Sequence, residues 1–276
     1  MNPVAAALIA GLATVLVGMT AAAIRTKQLD KAAVVDVAWG AGFVLIALVT
    51  GVVATLVDHG TPWRRWLVVA LVAIWGLRLA WHIRSRAVGE HGGQEDPRYA
   101  EMLGGSPSEV GMRTVVRRVF VVQGAVQWFI ALPVMIGAVL SVEWWPVVVA
   151  GVVVWAIGLF FEAVGDRQLA AYKREPKQTR PPVMDRGLWR YTRHPNYFGD
   201  ACIWWGLWLA AGLGSGWVAG LATVLSPVAM TFFVYQVTGV KLLERTMMQR
   251  PGYPAYATRT SIFVPLPPKR SHRDGS

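Results

Sequence analysis

The sequence predicts an all-α, polytopic integral membrane protein of about seven transmembrane helices, on three observations. Charge is scarce: 54% of the residues are hydrophobic and 16% charged, where soluble domains carry roughly 25% charged residues. The apolar residues fall in unbroken runs near the length a bilayer requires, about 20 residues per helix. Lys and Arg are segregated to one side of those runs, as the insertion of membrane proteins demands.

Each span follows from its own run. Val4 to Ile24 is uncharged; it lacks the basic start of a signal peptide and is long for a signal's apolar segment, so it is read as span one, over 4–24. Asp36 precedes the uncharged run Val37 to Val57, giving span two over 33–57. Span three, over 66–83, carries Arg78 and His82. Val119 to Val142 and Trp144 to Phe161 are uncharged and give spans over 119–142 and 144–164. Ala201 to Val240 is also uncharged, but at about 1.5 Å per residue it is roughly twice the length of one span. Gly212, Gly214, Ser215 and Gly216 divide it, giving helices over 198–213 and 217–239. The chain reads as one membrane domain, 1–276, whose residues 241–276 form a cytoplasmic tail.

The formal net charge of +11 does not indicate nucleic acid, because its distribution is that of a membrane topology. With the N-terminus outside and the C-terminus cytoplasmic, 24 of the 27 Lys and Arg residues fall in inside segments, two (Arg64 and Arg65) in an outside loop, and Arg78 within a span. This is a strong positive-inside pattern; it suits the cell (plasma or inner) membrane and brings anionic lipid headgroups in as partners. The single cysteine, Cys202, excludes an intramolecular disulfide and a cysteine metal cluster. His59, His82, His91, His194 and His272 show no metal-ligand spacing. Nothing in the sequence fixes an oligomeric state.

Ionisable groups in apolar helices are expensive and call for a function or a partner. Asp36, Arg78, His82, Glu162, Asp166, Asp200 and Glu244 all fall near the cytoplasmic ends of their predicted spans, which suggests a cavity open to that side or, alternatively, side chains reaching interfacial water. Arg78 and His82 lie one helical turn apart, as do Glu162 and Asp166. Two acids on one face repel unless donors such as ribose hydroxyls, an adenine amine or an arginine lie between them. The stretch Gly187-Leu-Trp-Arg-Tyr-Thr-Arg-His-Pro-Asn-Tyr-Phe-Gly-Asp200 is the most informative. Arg190, Arg193 and His194 suit phosphate oxygens, and Trp189, Tyr191 and Tyr197 offer stacking faces. Asn196 and Asp200, one turn apart at the start of a helix, suit the carboxamide and ribose of a nicotinamide. There is no G-x-G-x-x-G after a strand and no P-loop, so any nucleotide binds in the membrane domain and its loops.

With Trp204-Trp205-Gly206 after it, that run resembles the steroid 5-alpha-reductase superfamily, and in particular its bacterial branch. The resemblance extends through Val35-Asp36-Val-Ala-Trp39-Gly40, Arg78-Leu-Ala-Trp-His82, Glu95-Asp96-Pro97-Arg98-Tyr99, Phe161-Glu-Ala-Val-Gly-Asp-Arg-Gln-Leu169, Gly239-Val-Lys-Leu-Leu-Glu244 and Pro251-Gly-Tyr-Pro-Ala-Tyr256 to Pro265. It implies a seven-helix reductase that takes hydride from NADPH to a double bond of a lipophilic, steroid-, isoprenoid- or enone-like substrate. It implies that Asn196 and Asp200 meet the nicotinamide half, that Asp166 and Lys173 hold the other half, and that Trp204 walls the pocket. Glu162, Arg180, Glu244 and Tyr256 complete the expected cofactor set. The family sets an acid on an early helix beside a tyrosine to polarise the substrate. Asp36 is the acid nearest that position and Trp75 stands at the tyrosine's, so Asp36, Arg78 and His82 are the catalytic candidates.

Two other classes compete with an NADPH-dependent reductase. A membrane methyltransferase of the isoprenylcysteine carboxyl type, using S-adenosylmethionine, carries a similar Arg-His-Pro-x-Tyr-x-Gly loop; Asn196 and Asp200 favour the nicotinamide. A non-catalytic lipid-binding or transport protein would show inverted repeats and polar breaks at mid-membrane, whereas the polar residues here gather at one side. The topology is tested by cysteine accessibility in a Cys202→Ser background. Ser141→Cys is expected to label from the outer face and Ser271→Cys only from the cytoplasmic face; outer-face labelling at 271 reverses the assignment.

Overall fold

The computed structural model describes residues 2–90, 95–237 and 239–269; His91, Ser271 and His272 lie outside the described residues. No strand occurs among them, and one isolated bridge joins Thr192 to Ser261. Among the described residues five helices are long and apolar enough to cross a membrane: Pro3–Leu29, Val34–Leu56, Pro62–Ala87, Trp145–Arg174 and Trp217–Met247. Met112–Ile130 and Leu132–Val139, bent by 44°, make a sixth if the pair is one span. The span expected over 198–213 is not among them. There the α-helix Pro195–Leu207 gives way to a π turn, Trp208–Gly212, and a 3-10 turn, Leu213–Ser215. Gly212, Gly214 and Gly216 fall in or beside those turns, where glycine tolerates the change of winding.

The chain, expected as one domain, groups into two compact units: Met1–Val148 with Leu207–Ser226, and Val149–Gly206 with Pro227–Ser276. In the first unit α1 (Pro3–Leu29) starts on an Asn2 cap, whose side chain accepts from the Val4 N–H, and ends at Asp30 in the left-handed region. α2 (Val34–Leu56) packs against α1 and against α3 (Pro62–Glu90). α2 and α3 meet backbone to backbone: a Cβ on Gly40 would lie 2.5 Å from the Gly76 carbonyl oxygen, the close approach that small residues permit between membrane helices. Two short helices follow, α4 (Pro97–Leu103) and α5 (Pro107–Val110), each opened by a cap and a proline. α6 (Met112–Ile130) and α7 (Leu132–Val139) make the bent pair; Pro133, which lacks a backbone N–H, sits in the first turn of α7.

Arg64 and Arg65, expected in a loop, belong to a helix. Both lie in the first turn of α3, and both are buried, at 0% and 4% exposure. Arg64 donates from Nη1 to the Ala210 and Ala211 carbonyls (3.2 and 3.1 Å) and to Ser215 Oγ (2.8 Å). Its Nη2 donates to the Gly137 and Leu140 carbonyls, at 2.5 and 2.7 Å. Arg65 reaches the Ala138 carbonyl (3.3 Å), Thr55 Oγ1 (2.6 Å) and the His59 carbonyl. The last carbonyls of a helix have no partner within it, and the cost of burying them unpaired is high where no water reaches. The guanidinium forks supply donors to the carbonyls at the C-terminal end of α7 and in the 208–212 turn, and Arg65 also ties the Thr55 hydroxyl of α2 to the His59 carbonyl beyond it.

α8 (Trp145–Arg174) is longer than the expected 144–164 span and runs on into the second unit. Glu162, Asp166 and Lys173 are therefore helical residues. α9 is Pro195–Leu207. The stretch from Trp217 to Met247 comprises α10 (Trp217–Thr223), α11 (Leu225–Phe232), a π turn at Phe233–Val237 and α12 (Val240–Met247). α13 (Tyr253–Arg259) closes the second unit, starting at Gly252 with φ +78°.

Arg64→Met is expected to destabilise the folded state by at least roughly 3 kcal/mol, because several buried acceptors lose a charged donor worth about 1.5–3 kcal/mol each. Arg64→Lys keeps the charge without the planar fork and should recover only part of that. Unfolding in detergent micelles is the measurement, with exposed Arg25→Gln as control. An Arg64→Met protein that unfolds at the wild-type temperature removes the capping role.

Candidate functional site

In the second unit α8 and α9 cross on a seam of glycines. A Cβ on Gly158 would lie 2.6 Å from the Gly199 carbonyl oxygen, and one on Gly199 would lie 2.5 Å from the Glu162 amide nitrogen. Gly206 meets Trp155 N at 2.5 Å and the Gly151 carbonyl oxygen at 2.6 Å by the same construction, while Gly165 faces Pro195. No larger side chain fits at that separation without displacing backbone. The close packing carries the polar residues of the two helices together: Asn196 Nδ2 donates to Asp166 Oδ1 at 3.1 Å, and Asn196 Oδ1 accepts from Tyr197 N at 3.1 Å. Asn196 and Asp166, which the sequence reading gives to opposite halves of a cofactor, are thus direct partners. Glu162 and Asp166 are both buried, one turn apart on α8; Asp200 lies half-buried one turn beyond Asn196. Trp204 is fully buried.

The loop before α9 is held along its length. Gly187 has φ +59°, a conformation glycine adopts without strain, and opens a 3-10 turn through Arg190. Trp189 is buried and donates from Nε1 to the Gly165 carbonyl at 3.0 Å, and Leu188 N donates to Gln168 Oε1 at 3.0 Å. The tail then runs beside the loop: Arg193 N donates to the Ser261 carbonyl (2.9 Å), Thr192 Oγ1 to the Phe263 carbonyl (2.8 Å), and Leu266 N to the Tyr191 carbonyl (3.0 Å). Tyr256 donates its hydroxyl to the Trp189 carbonyl, and burial pushes its phenol above the ordinary tyrosine range.

Glu244 is the hub of this unit. Its carboxylate accepts from Arg193 Nε at 3.1 Å and Nη2 at 2.9 Å, bonds His194 Nε2 at 2.8 Å, and accepts from the Tyr253 hydroxyl at 2.5 Å. Arg193 Nη1 donates further to the Ala257 and Thr260 carbonyls, at 2.7 and 3.2 Å. The sequence reading gives Arg193 and His194 to phosphate and Glu244 to the cofactor. Here all three guanidinium nitrogens of Arg193 have protein acceptors, and the three residues bind one another. Hydrogen bonding to Glu244, after burial, holds the Tyr253 phenol well above its usual range.

Other residues singled out from the sequence lie nearer the surface. Arg190, Tyr191 and Lys173 are exposed. Arg180 is half-buried, donates to the Lys173 carbonyl at 3.2 Å and lies 5.0 Å from the centre of the Tyr172 ring. Tyr197 sits 5.7 Å from the His194 ring. Lys173 and Arg190 are therefore the exposed members of the expected cationic set.

In the first unit the Glu95-to-Tyr99 segment docks on the start of α2. The Glu95 carboxylate accepts from the Ala32 and Ala33 N–H groups, which the helix start leaves without partners. Asp96 caps α4, accepting from Arg98 N at 2.9 Å, and Pro97 follows. That cap turns Arg98 and Tyr99 onto Asp36: Arg98 Nη2 lies 3.1 Å from Asp36 Oδ2 and 2.8 Å from Asp96 Oδ2, and the Tyr99 hydroxyl donates to Asp36 Oδ1 at 2.5 Å. Tyr99 is buried, and burial together with the Asp36 charge raises its phenol well above the ordinary range. Sequence reasoning missed Tyr99; the signal was present as an Asp-Pro helix start that fixes the next two side chains. Arg78 and His82 are half-buried on α3.

The family described as "Protein of unknown function (DUF1295)" matches residues 21–260. No curated protein and no solved structure matches the chain.

Glu244→Ala leaves Arg193 buried without its counter-charge, and such a break costs roughly 3–5 kcal/mol. It is expected to lower the unfolding temperature and to expose the 187–194 loop and the tail to protease together. Glu244→Gln, which retains some acceptor capacity, should fall between the two. Cleavage of Glu244→Ala at the wild-type rate would separate Glu244 from loop anchoring.

Proposed function

The chain belongs to the DUF1295 family, and we propose that it is a membrane-embedded, NADPH-dependent reductase that saturates a double bond of a lipophilic substrate. The observation that carries the reading is the Asn196–Asp166 contact at 3.1 Å. An amide and a carboxylate held side by side offer both donors and an acceptor to a carboxamide and to ribose hydroxyls. The cationic end of the cofactor site falls to Lys173 and Arg190, which face solvent and suit phosphate oxygens; Arg193 and His194 act one step removed, by fixing the loop that presents Arg190. The nicotinamide supplies the hydride, and the protein supplies orientation and electrostatics. Asp36, Arg78 and His82 are assigned to the substrate end, with Tyr99 added because its hydroxyl is hydrogen-bonded to Asp36. The resemblance to the steroid 5-alpha-reductase superfamily, carried by the Arg193-to-Gly199 run, supports the same assignment.

The topology proposed with it has seven spans, the N-terminus outside and the tail cytoplasmic in the cell membrane. The seventh is the segment Pro195 to Ser215, whose α, π and 3-10 turns follow one another without a break.

Calorimetry on the detergent-purified protein is expected to show NADPH binding tighter than NADH, with the difference shrinking as salt is raised. Losing one charge-assisted hydrogen bond costs about 1.5–3 kcal/mol, so Arg190→Ala should weaken NADPH roughly ten-fold or more. Asn196→Ala should impair binding of both nucleotides while the glycine seam keeps α8 and α9 folded. Asp36→Asn and His82→Gln should spare nucleotide binding and remove turnover. Equal affinity for the two nucleotides, or tight S-adenosylmethionine binding in their place, turns the reading to a methyltransferase.

A further inference from the structure

α12 lies at the end of an apolar stretch long enough to cross a membrane, Trp217–Met247, and its surfaces are sharply divided. The inward surface carries Val240, which is fully buried, and Glu244, which is held by Arg193, His194 and Tyr253. The outward surface carries Leu242 and Leu243, at 41% and 43% exposure, and next to them the exposed Lys241 and Arg245. Met248 and Arg250 continue the same pattern into the following turn, both exposed. Lys241 also sits 5.9 Å from the Tyr235 ring centre. Glu244 is the only acid between Val240 and Arg250, and it is turned inward, so the outward surface is positive without interruption.

Exposed leucines in water lose the stabilisation that burial gives, and cations in hydrocarbon are costly. A surface with both has its natural place at the boundary, with apolar groups against the acyl chains and Lys and Arg among the headgroups. The short chain distance from a spanning stretch puts α12 at that depth. We propose that the outward surface of α12 docks on the anionic headgroup layer of the membrane, with Leu242 and Leu243 in the acyl boundary and Lys241, Arg245 and Arg250 on lipid phosphates. Because Glu244 projects from the opposite side onto Arg193 and His194, this docking also fixes the position of the 187–194 loop. Anionic lipid content then sets how firmly that loop is held. Arg190 lies in the loop so positioned, but the docking of α12 on lipid does not depend on what that loop binds.

The test is full-length protein carrying Cys202→Ser and Leu243→Cys, labelled with bimane and reconstituted in nanodiscs of phosphatidylcholine, with or without phosphatidylglycerol. Position 243 is exposed, so the label leaves the packed side untouched. The expected result is quenching by brominated lipid, stronger for brominated phosphatidylglycerol than for brominated phosphatidylcholine. Adding Lys241→Gln and Arg245→Gln should reduce that preference by about five-fold per charge and speed protease cleavage in the 187–194 loop. Quenching by aqueous iodide but not by brominated lipid would overturn the proposal, leaving the surface to water or to a protein partner. Equal quenching by the two brominated lipids would overturn its electrostatic part, and unchanged cleavage would overturn the link to the loop.

Discussion

A helix that ends where water cannot follow leaves carbonyl oxygens that must find donors elsewhere in the protein. In the first unit that obligation falls on two adjacent arginines. Arg64 and Arg65 reach the ends of α2, α7 and the 208–212 turn, and no carboxylate is among the partners described above. A helix C-terminus carries roughly half a negative charge, so the ends of α7 and the 208–212 turn offset part of the charge of the two guanidinium groups. The described partners of the pair are carbonyl and hydroxyl oxygens, and one rigid fork serves several of them.

The second unit solves a different problem by a different route. There the helices approach until backbone touches backbone, at Gly158, Gly199 and Gly206. The separation is set by what is missing from those residues, and the polar side chains on either side of the seam are brought into register as a result. The Asn196–Asp166 contact depends on this geometry. The loop before α9 is fixed separately, by Glu244 and by the tail, so helix packing and loop placement are independent conditions on the same cluster.

Much of the architecture was legible because hydrophobic runs and charge segregation are global properties of a chain. The span ends read from Val4–Ile24 and Val37–Val57 differ from the helices Pro3–Leu29 and Val34–Leu56 by a few residues. Over 198–213 composition does not register the change of winding from α to π to 3-10, although the segment stays helical through Ser215. Arg64 and Arg65 were misread as loop charges, since nothing in a one-dimensional pattern reveals carbonyls arriving from residues more than 70 positions away. Residue type picked out the polar residues around Asn196 that contact one another in the fold but could not apportion roles among them. An arginine suited to phosphate and one that braces a loop look alike in sequence; Arg193 is the bracing one, and its partner Glu244 lies 51 positions on. Tyr99 was hidden for the opposite reason, as a residue with no evident chemistry until an Asp96 cap turned it onto Asp36.

The pairing of Tyr191 to Arg193 with Ser261 to Leu266 has a consequence for biogenesis. The loop precedes the last apolar stretch, and its partner segment follows it. Synthesis runs from the N-terminus, so when the loop emerges, neither Glu244 nor the 261–266 segment has been made. The loop can bond Gly165 and Gln168 as soon as it is made, but its bonds to Glu244 and to the 261–266 segment form only after the Trp217–Met247 stretch has been synthesised. A chain stalled before residue 261 would therefore carry the Trp217–Met247 stretch yet lack part of the loop's anchoring, at the place where its chemistry is proposed to lie.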